Sequence, residues 1–448
     1  MTTGTHSDVP RRPSVAIVLA AGRSERLREV TGGGSKALVR VGGMALVERA
    51  VRTLLASGLD RLVVMTGYHA GPVGAVIGRL GDHRLHALYA EDWELGNGAS
   101  LAAAARSLDG AASFLVVAAD HIFSEGAVRP LLSAPAPACL VDPTPSPEAW
   151  DEGTRVMIRD GRARAFGKHL AEPAIDCGAF VLTHAVFDAQ RDAAARGDAS
   201  LAGAISALAA QEPLSVVPLP AGCWWQDVDT PADLDAASLQ LRRSLVKLDD
   251  GPVSRYLNRP VSTRMSMVLA PLRLSPDAVS VVVAVLGILA AVLLAAGDGL
   301  AGGLMAQAVS VLDGVDGELA RLQIRASPRG ALLDGVLDRT VDVALAAGLG
   351  AWALHAGTPP GTAVALVAAA AAGSVMSMAS KDRVWALGLP PAPERAIGYL
   401  LGGRDGRLLL IAIFAVLHRP ALALAAASIA VWLSVAVRVI AVRLRSHA

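Results

Sequence analysis

The sequence predicts two structural classes in series. An α/β domain occupies residues 12–243, and an all-α polytopic membrane domain of six transmembrane helices occupies residues 277–445. Residues 244–276 read as a linker and a juxtamembrane amphipathic helix. Three observations carry this reading. Short apolar runs alternate with helical patterns in the first half, as in βαβ units. From Asp277 onward the chain becomes a series of long segments rich in Ala, Val, Leu and Gly. Asp313, Asp316, Asp334 and Asp338 then interrupt sequence that is otherwise strongly apolar.

The averages over 448 residues, 53% apolar and 18% charged, conceal these two halves. A formal net charge of +1 gives no footing for a nucleic-acid or polyanion partner. Cys139, Cys177 and Cys223 have neither metal-ligand spacing nor the density of a disulfide scaffold, so reduced thiols are expected. The opening MTTGTHSDVPRRP lacks the apolar stretch of a signal peptide, which predicts a cytoplasmic first half.

Taken in order, SVAIVLAA (14–21) is a short apolar run ending in small residues, as a buried parallel strand requires. GRSERL, a flexible TGGG and Lys36 follow. A helix begins near Ala45, a second strand covers 61–67, a helix covers 71–80, and SFLVVAAD (113–120) ends a third strand at Asp120. Ligands of such sheets bind at the strand ends, so Gly22, Arg26, Lys36 and Asp120 are expected to meet in space. Gly22 alone would be an ordinary turn. Together the residues make a nucleotide site: backbone N–H groups cradle phosphates, Arg26 and Lys36 neutralise them, and Asp120 holds a metal. Strand alternation puts Asp227 and Asp229 on one side, which serves either a metal or a substrate, or else a solvated polar edge.

AAGRSERL with SKALVRVGG, GNGAS (96–100), VVAAD and WWQDVDTPADL (224–234) resemble the nucleoside-triphosphate sugar-1-phosphate nucleotidyltransferases, in particular their cytidylyltransferase branch. The resemblance implies a Rossmann-like fold, with Ala20, Gly22, Arg26 and Lys36 at the triphosphate and Lys36 stabilising developing charge. It implies Mg²⁺ (or Mn²⁺) at Asp120 with Asp227 or Asp229. Asn97 and Gly98 fall where a base or sugar contact would sit, and Lys168 and Asp176 on the sugar-phosphate side. Ser24 departs from the glycine of the family's loop, which puts the loop geometry in question.

PADLDAASLQLRRSL (231–245) reads as the closing helix of the first domain. Arg255 to Met267 mixes basic and apolar residues and is expected to lie along a membrane surface. Ala278–Gly297 is uncharged and long enough to cross the hydrocarbon core. Further helices are expected at 299–320, 331–354, 362–380, from about 403–407 onward, and 421–440. The basic clusters fall before the first, then after the second, fourth and sixth, which places them all on the cytoplasmic side.

Each aspartate pair, three or four residues apart, projects from one helix face. Charges beside lipid are expensive, and carboxylates suit Mg²⁺ or Mn²⁺, so a bound divalent metal is the simplest common explanation. The pattern D-x2-D-G-x2-A-R-x8-G-x3-D-x3-D is met by Asp313, Asp316, Gly317, Ala320, Arg321, Gly330, Asp334 and Asp338. It resembles the CDP-alcohol phosphotransferases. That resemblance implies metal at the four aspartates, nucleotide contact at Gly317, Ala320 and Arg321, Asp338 as the base, and a homodimer through the membrane domain. Arg255, Arg259, Lys381 and Arg383 are candidate anchors for a phosphorylated acceptor, or else positive-inside surface charges.

The fused whole is similar to bifunctional inositol-phosphate cytidylyltransferases that are also di-inositol-phosphate phosphate synthases. The resemblance implies CTP and inositol 1-phosphate as substrates, CDP-inositol as intermediate and a multi-pass protein of the plasma or inner membrane with both sites cytoplasmic. Two other readings fit the sequence: transfer of another activated alcohol phosphate to a lipid, and a non-catalytic membrane scaffold.

Overall fold

Strand β1 (Val15–Ala20) is buried at every position, because it runs between two parallel neighbours with helices over both faces. The computed structural model describes residues 12–23, 25–389 and 394–445; Ser24 lies outside the described residues. The chain divides into two units, Met1–Leu239 and Gln240–Ala448, and the division falls inside the helix Pro231–Ser244.

The first unit is built on a nine-stranded mixed sheet. After β1 come β2 (Arg61–Thr66), β3 (Leu85–Tyr89), β4 (Phe114–Ala118), β5 (Ala138–Asp142), β6 (Arg155–Arg159), β7 (Arg162–Gly167), β8 (Ile175–Leu182) and β9 (Leu214–Pro218). Their spatial order is β3-β2-β1-β4-β8-β5-β9-β7-β6. β2 and β4 flank β1 on opposite sides and run parallel to it. The chain order therefore reverses at β1, and a crevice opens beyond the carboxyl ends of β1 and β4. Alternate residues feed two cores. Ile17, Leu19, Val63 and Val116 pack on one face, while Ala16, Val18, Val64 and Val117 pack on the other.

The second unit is helical: α1 (Arg259–Leu269), α2 (Pro276–Ala295), α3 (Gly299–Leu322), α4 (Pro328–His355), α5 (Pro360–Ala386), α6 (Arg404–Val416) and α7 (Pro420–Arg445). Capping sets the junctions. Asp298 accepts from Ala301 N at the start of α3, and Ser327 accepts from Gly330 N at the start of α4 with Pro328 in the first turn. α2 packs against α3 and α4, and α6 against α3 and α7. Gly348 lies so close to the Ala291 backbone that any side chain there would collide with it.

Among the described residues, three helices are long and apolar enough to cross a membrane: Pro276–Ala295, Pro360–Ala386 and Pro420–Leu444. α3 and α4 have the length but carry the acidic residues. α6 has only 13 residues, a rise of about 20 Å against a core of about 30 Å. Length and composition thus support three of the six expected spans.

α1 is inverted relative to a helix on a soluble core. Its Ser262, Thr263 and Ser266 are buried, and Val261 and Val268 are exposed. The cause is Glu318 of α3, which is fully buried. It accepts from Arg259 Nη1 at 2.6 Å, Ser262 Oγ at 2.7 Å and Ser266 Oγ at 2.6 Å. Removing one partner of a buried pair strands the other, at a cost of about 3–5 kcal/mol. E318A is therefore expected to lower the thermal midpoint of the detergent-solubilised protein by several degrees; an unchanged midpoint would remove Glu318 from the anchoring of α1.

Candidate active sites

The first site is assembled by a short antiparallel ribbon. His121–Phe123 pairs with Trp225–Asp227, and Asp227 lies directly opposite His121. This register brings two distant carboxylates together just past the end of β4. Lys36 stands in a single turn, Lys36–Leu38, capped by Ser35. Its Nζ donates to Asp120 Oδ2 at 2.7 Å and to Asp229, and lies 3.8 Å from Asp227. Arg26 pairs with Asp229 at 2.9 Å. The expected grouping is present: Ala20, Gly22, Arg26, Lys36, Asp120 and Asp229 line one cavity of about 150 Å³. It shares Leu19, Gly22, Arg23 and Asp120 with a larger cavity of about 510 Å³ that reaches Trp93, Asn97 and Ser100.

The electrostatics follow from burial and charge pairing. Burial disfavours the Lys36 ammonium, but Asp120, Asp227 and Asp229 outweigh it and hold its pKa above the ordinary lysine value. Burial likewise raises Asp120, and Lys36 and His121 more than reverse it. Asp227 is pushed up by burial and by its neighbouring carboxylates against the pull of His121. His121 donates from Nδ1 to Asp120 Oδ1 at 2.9 Å and stacks on Trp225. Burial lowers its pKa, Asp227 and Asp120 outweigh that, and it is pushed up to about 9.

The donor set fits a hard divalent cation. Carboxylate oxygens of Asp120 and Asp227 lie within 4.8 Å of one another beside the His121 ring, and Asp227 Oδ1 is buried with no hydrogen-bond partner among the described residues. Of the two aspartates left open by the sequence, Asp227 stands in this cluster and Asp229 is engaged by Lys36 and Arg26. His121 was not legible in advance, because a histidine after a strand-end aspartate has no distinguishing spacing. Gly178 (φ +70°) makes room for it, since a Cβ there would overlap the imidazole.

The other expected contact residues are placed as follows. Asn97 Oδ1 accepts from Leu201 N at 2.8 Å and so tethers the helix Leu201–Gln211. Gly98 is required by close packing, because a Cβ would meet Ala199 O and the Ser200 backbone. Asp176 lies near His121, accepts from Gly178 N at 2.9 Å, and is raised chiefly by burial. Lys168 is exposed and lines neither cavity.

The second site joins the end of α3 to the start of α4. Ligand atoms of Asp313, Asp334 and Asp338 lie within 4.8 Å of one another, a set of carboxylates that fits a divalent cation. Asp316 is buried and accepts from Ser280 of α2. Arg404, at the start of α6, pairs with Asp313, with Asp338 at 2.9 Å and with Asp342 at 3.3 Å. Arg407 holds Asp342 from the other side at 2.7 Å. The signal for Arg404 was the charged RDGR at the head of an apolar helix. Arg321 donates to Leu245 O at 3.2 Å, and its buried Nε has no hydrogen-bond partner among the described residues. Gly317 leaves its face of α3 open: beyond its own stretch of helix backbone, an added Cβ would meet Arg321 Nη1 alone among the described residues.

A cavity of about 210 Å³ in this unit is lined by Lys247, Ser254, Lys381, Asp405 and Arg438, among others. Of the four expected anchor residues only Lys381 reaches it. Arg259 is held by Asp250 and Glu318, because both ends of its guanidinium meet carboxylates. Arg255 donates to the carbonyls of Lys247 and Leu248, and Arg383 is exposed elsewhere. The cavity also carries Asp249, Asp250 and Glu394: Arg438 is buried and held by both Glu394 oxygens at 2.7 and 2.9 Å, and Lys381 lies 3.7 Å from Asp249.

Residues 16–214 match the MobA-like NTP transferase domain family. Over 413 residues the chain is 37% identical to the bifunctional IPC transferase and DIPP synthase of Rubrobacter xylanophilus, with 92% of each chain covered. It is 34% identical over 408 residues to the Aquifex aeolicus protein of the same description, covering 90% of this chain and 92% of that one. Among solved structures, the inositol-1-phosphate CTP transferase from T. maritima aligns with a TM-score of 0.46 at 24% identity, over 51% of this chain and 95% of that one.

Proposed function

This chain belongs to the family of bifunctional IPC transferases and DIPP synthases, and from that premise we propose that it makes CDP-inositol and then consumes it. The observation that carries the reading is similarity running through both halves at once, to proteins named for two successive transfers. An oxygen of inositol 1-phosphate attacks the α-phosphorus of CTP, the bond to the β-phosphate breaks, and pyrophosphate leaves. A hydroxyl of a second inositol 1-phosphate then attacks the inositol-bearing phosphorus of CDP-inositol. The bond to CMP breaks, and phosphorylated di-inositol phosphate is formed.

Each unit has residues for its step. Lys36, held between three carboxylates, presents its charge to the triphosphate beside Gly22 and Arg26. Asp338 takes the proton of the attacking hydroxyl, and Arg404 orients its carboxylate. Divalent cations, Mg²⁺ or Mn²⁺, held by Asp120 and Asp227 and by Asp313, Asp334 and Asp338 would neutralise phosphate charge at both sites. Asp316 and Asp229 belong to these acidic sets in the same reading. Lys381, with Lys247, attracts the phosphate of the acceptor. The domain limits follow the sequence reading: 12–243, 244–276 and 277–445. The second unit crosses the membrane several times, with both sites on the cytoplasmic face and a second copy packed against it. The basic residues Arg325, Arg329, Arg383 and Arg443 support that orientation.

The test is a mixture of purified protein, CTP, inositol 1-phosphate and Mg²⁺ followed by ³¹P NMR. Pyrophosphate, CMP and a water-soluble phosphodiester are expected. A phosphodiester that extracts into organic solvent from added lipid would replace the acceptor, and no CDP-inositol at all would end the reading.

A further inference from the structure

The larger cavity of the first unit is lined by two chemically different groups of residues. One is Gly22, Arg23 and Asp120, where the phosphates belong in the proposed reaction, and the other is Trp93, Glu94, Asn97 and Ser100, which share the same cavity of about 510 Å³ and are left to the base. Two carboxylates line the cavity, and Asp120 is already engaged by Lys36 and His121. Glu94 has no hydrogen-bond or ion-pair partner among the described residues; it is exposed, stands in the turn Trp93–Leu95 and lines the cavity. Asn97 spends its carbonyl oxygen on Leu201 N, which leaves its NH₂ as a donor. Ser100 is buried, and its hydroxyl donates to Gly96 O at 3.4 Å. The second group therefore offers one strong acceptor at Glu94 and a donor at Asn97.

We propose that Glu94 selects cytosine over uracil in this cavity. The proposal rests on the cytidylyl-transfer reading and adds a specificity residue to it. Cytosine presents an amino donor where uracil presents a carbonyl acceptor. An ionised carboxylate only accepts, so it matches the amino group and repels the carbonyl. The donor of Asn97 meets the remaining acceptors of the base. A glutamine at the same position has both a donor and an acceptor and meets either edge.

The experiment uses the full-length protein in detergent with inositol 1-phosphate. Initial pyrophosphate release is measured for CTP and for UTP in wild type, E94Q and E94A. The wild type is expected to prefer CTP. In E94Q the ratio of kcat/KM for CTP over UTP is expected to fall roughly 10- to 100-fold, mainly through the two KM values. E94A is expected to weaken CTP without improving UTP. A ratio in E94Q within about threefold of wild type would overturn the assignment while leaving cytidylyl transfer standing. A wild type that shows no preference for CTP would overturn both.

Discussion

Asp338→Asn is expected to stop phosphodiester formation while CDP-inositol continues to accumulate. Asp338 lies on α4 with a largely buried side chain, 2.9 Å from Arg404 and within the cluster of Asp313 and Asp334. Asparagine keeps the shape and loses the lone-pair basicity, so the hydroxyl proton has no acceptor at that position. Loss of a positioned general base costs about 10²–10⁴ in rate. The change also removes one negative charge from the cation site, which adds to the loss. Because the cytidylyl step uses residues of the other unit, pyrophosphate release from CTP should be unchanged. The measurement is the pair of initial rates, pyrophosphate and CMP, on the same sample. A CMP rate within tenfold of wild type would remove Asp338 as the base.

How far the two sites were legible in the sequence depended on how local their geometry is. β1, β4 and Asp120 could be read directly, because a buried parallel strand is a short apolar run and its carboxyl end is where ligands bind. Asp313, Asp334 and Asp338 could be read because helix periodicity fixes which residues share a face. What was hidden depends on long-range register. Asp227 is brought beside Asp120 by one antiparallel pairing, Asp227 opposite His121, with no local signature. Arg259 looked like a free phosphate anchor because its partners, Asp250 and Glu318, are 9 and 59 residues away. Arg404 meets Asp313 only because α6 packs against α3. Asn97 lines the cavity as expected, but that its carbonyl oxygen also holds a helix 104 residues further on has no local signature.

Lys36→Met is expected to be the complement of the Asp338 change. The lysine is buried among Asp120, Asp227 and Asp229, with 11% of its side chain exposed. Methionine keeps most of the volume and removes the charge that would meet the developing negative charge on the α-phosphate. Removing one such stabilising group costs about 10²–10³ in kcat. CDP-inositol formation should fall by that factor, read as pyrophosphate release at saturating CTP. Diester formation from supplied CDP-inositol should remain at the wild-type rate, and that second reading separates loss of charge from loss of the folded protein. Loss of both activities would make Lys36 a stability residue instead. The two variants also probe how the steps are joined. If CDP-inositol leaves the first site before it is used, a mixture of Lys36→Met and Asp338→Asn proteins recovers diester formation, after a lag set by the concentration the intermediate must reach. Direct transfer within one chain leaves the mixture inactive, because neither variant holds both working sites.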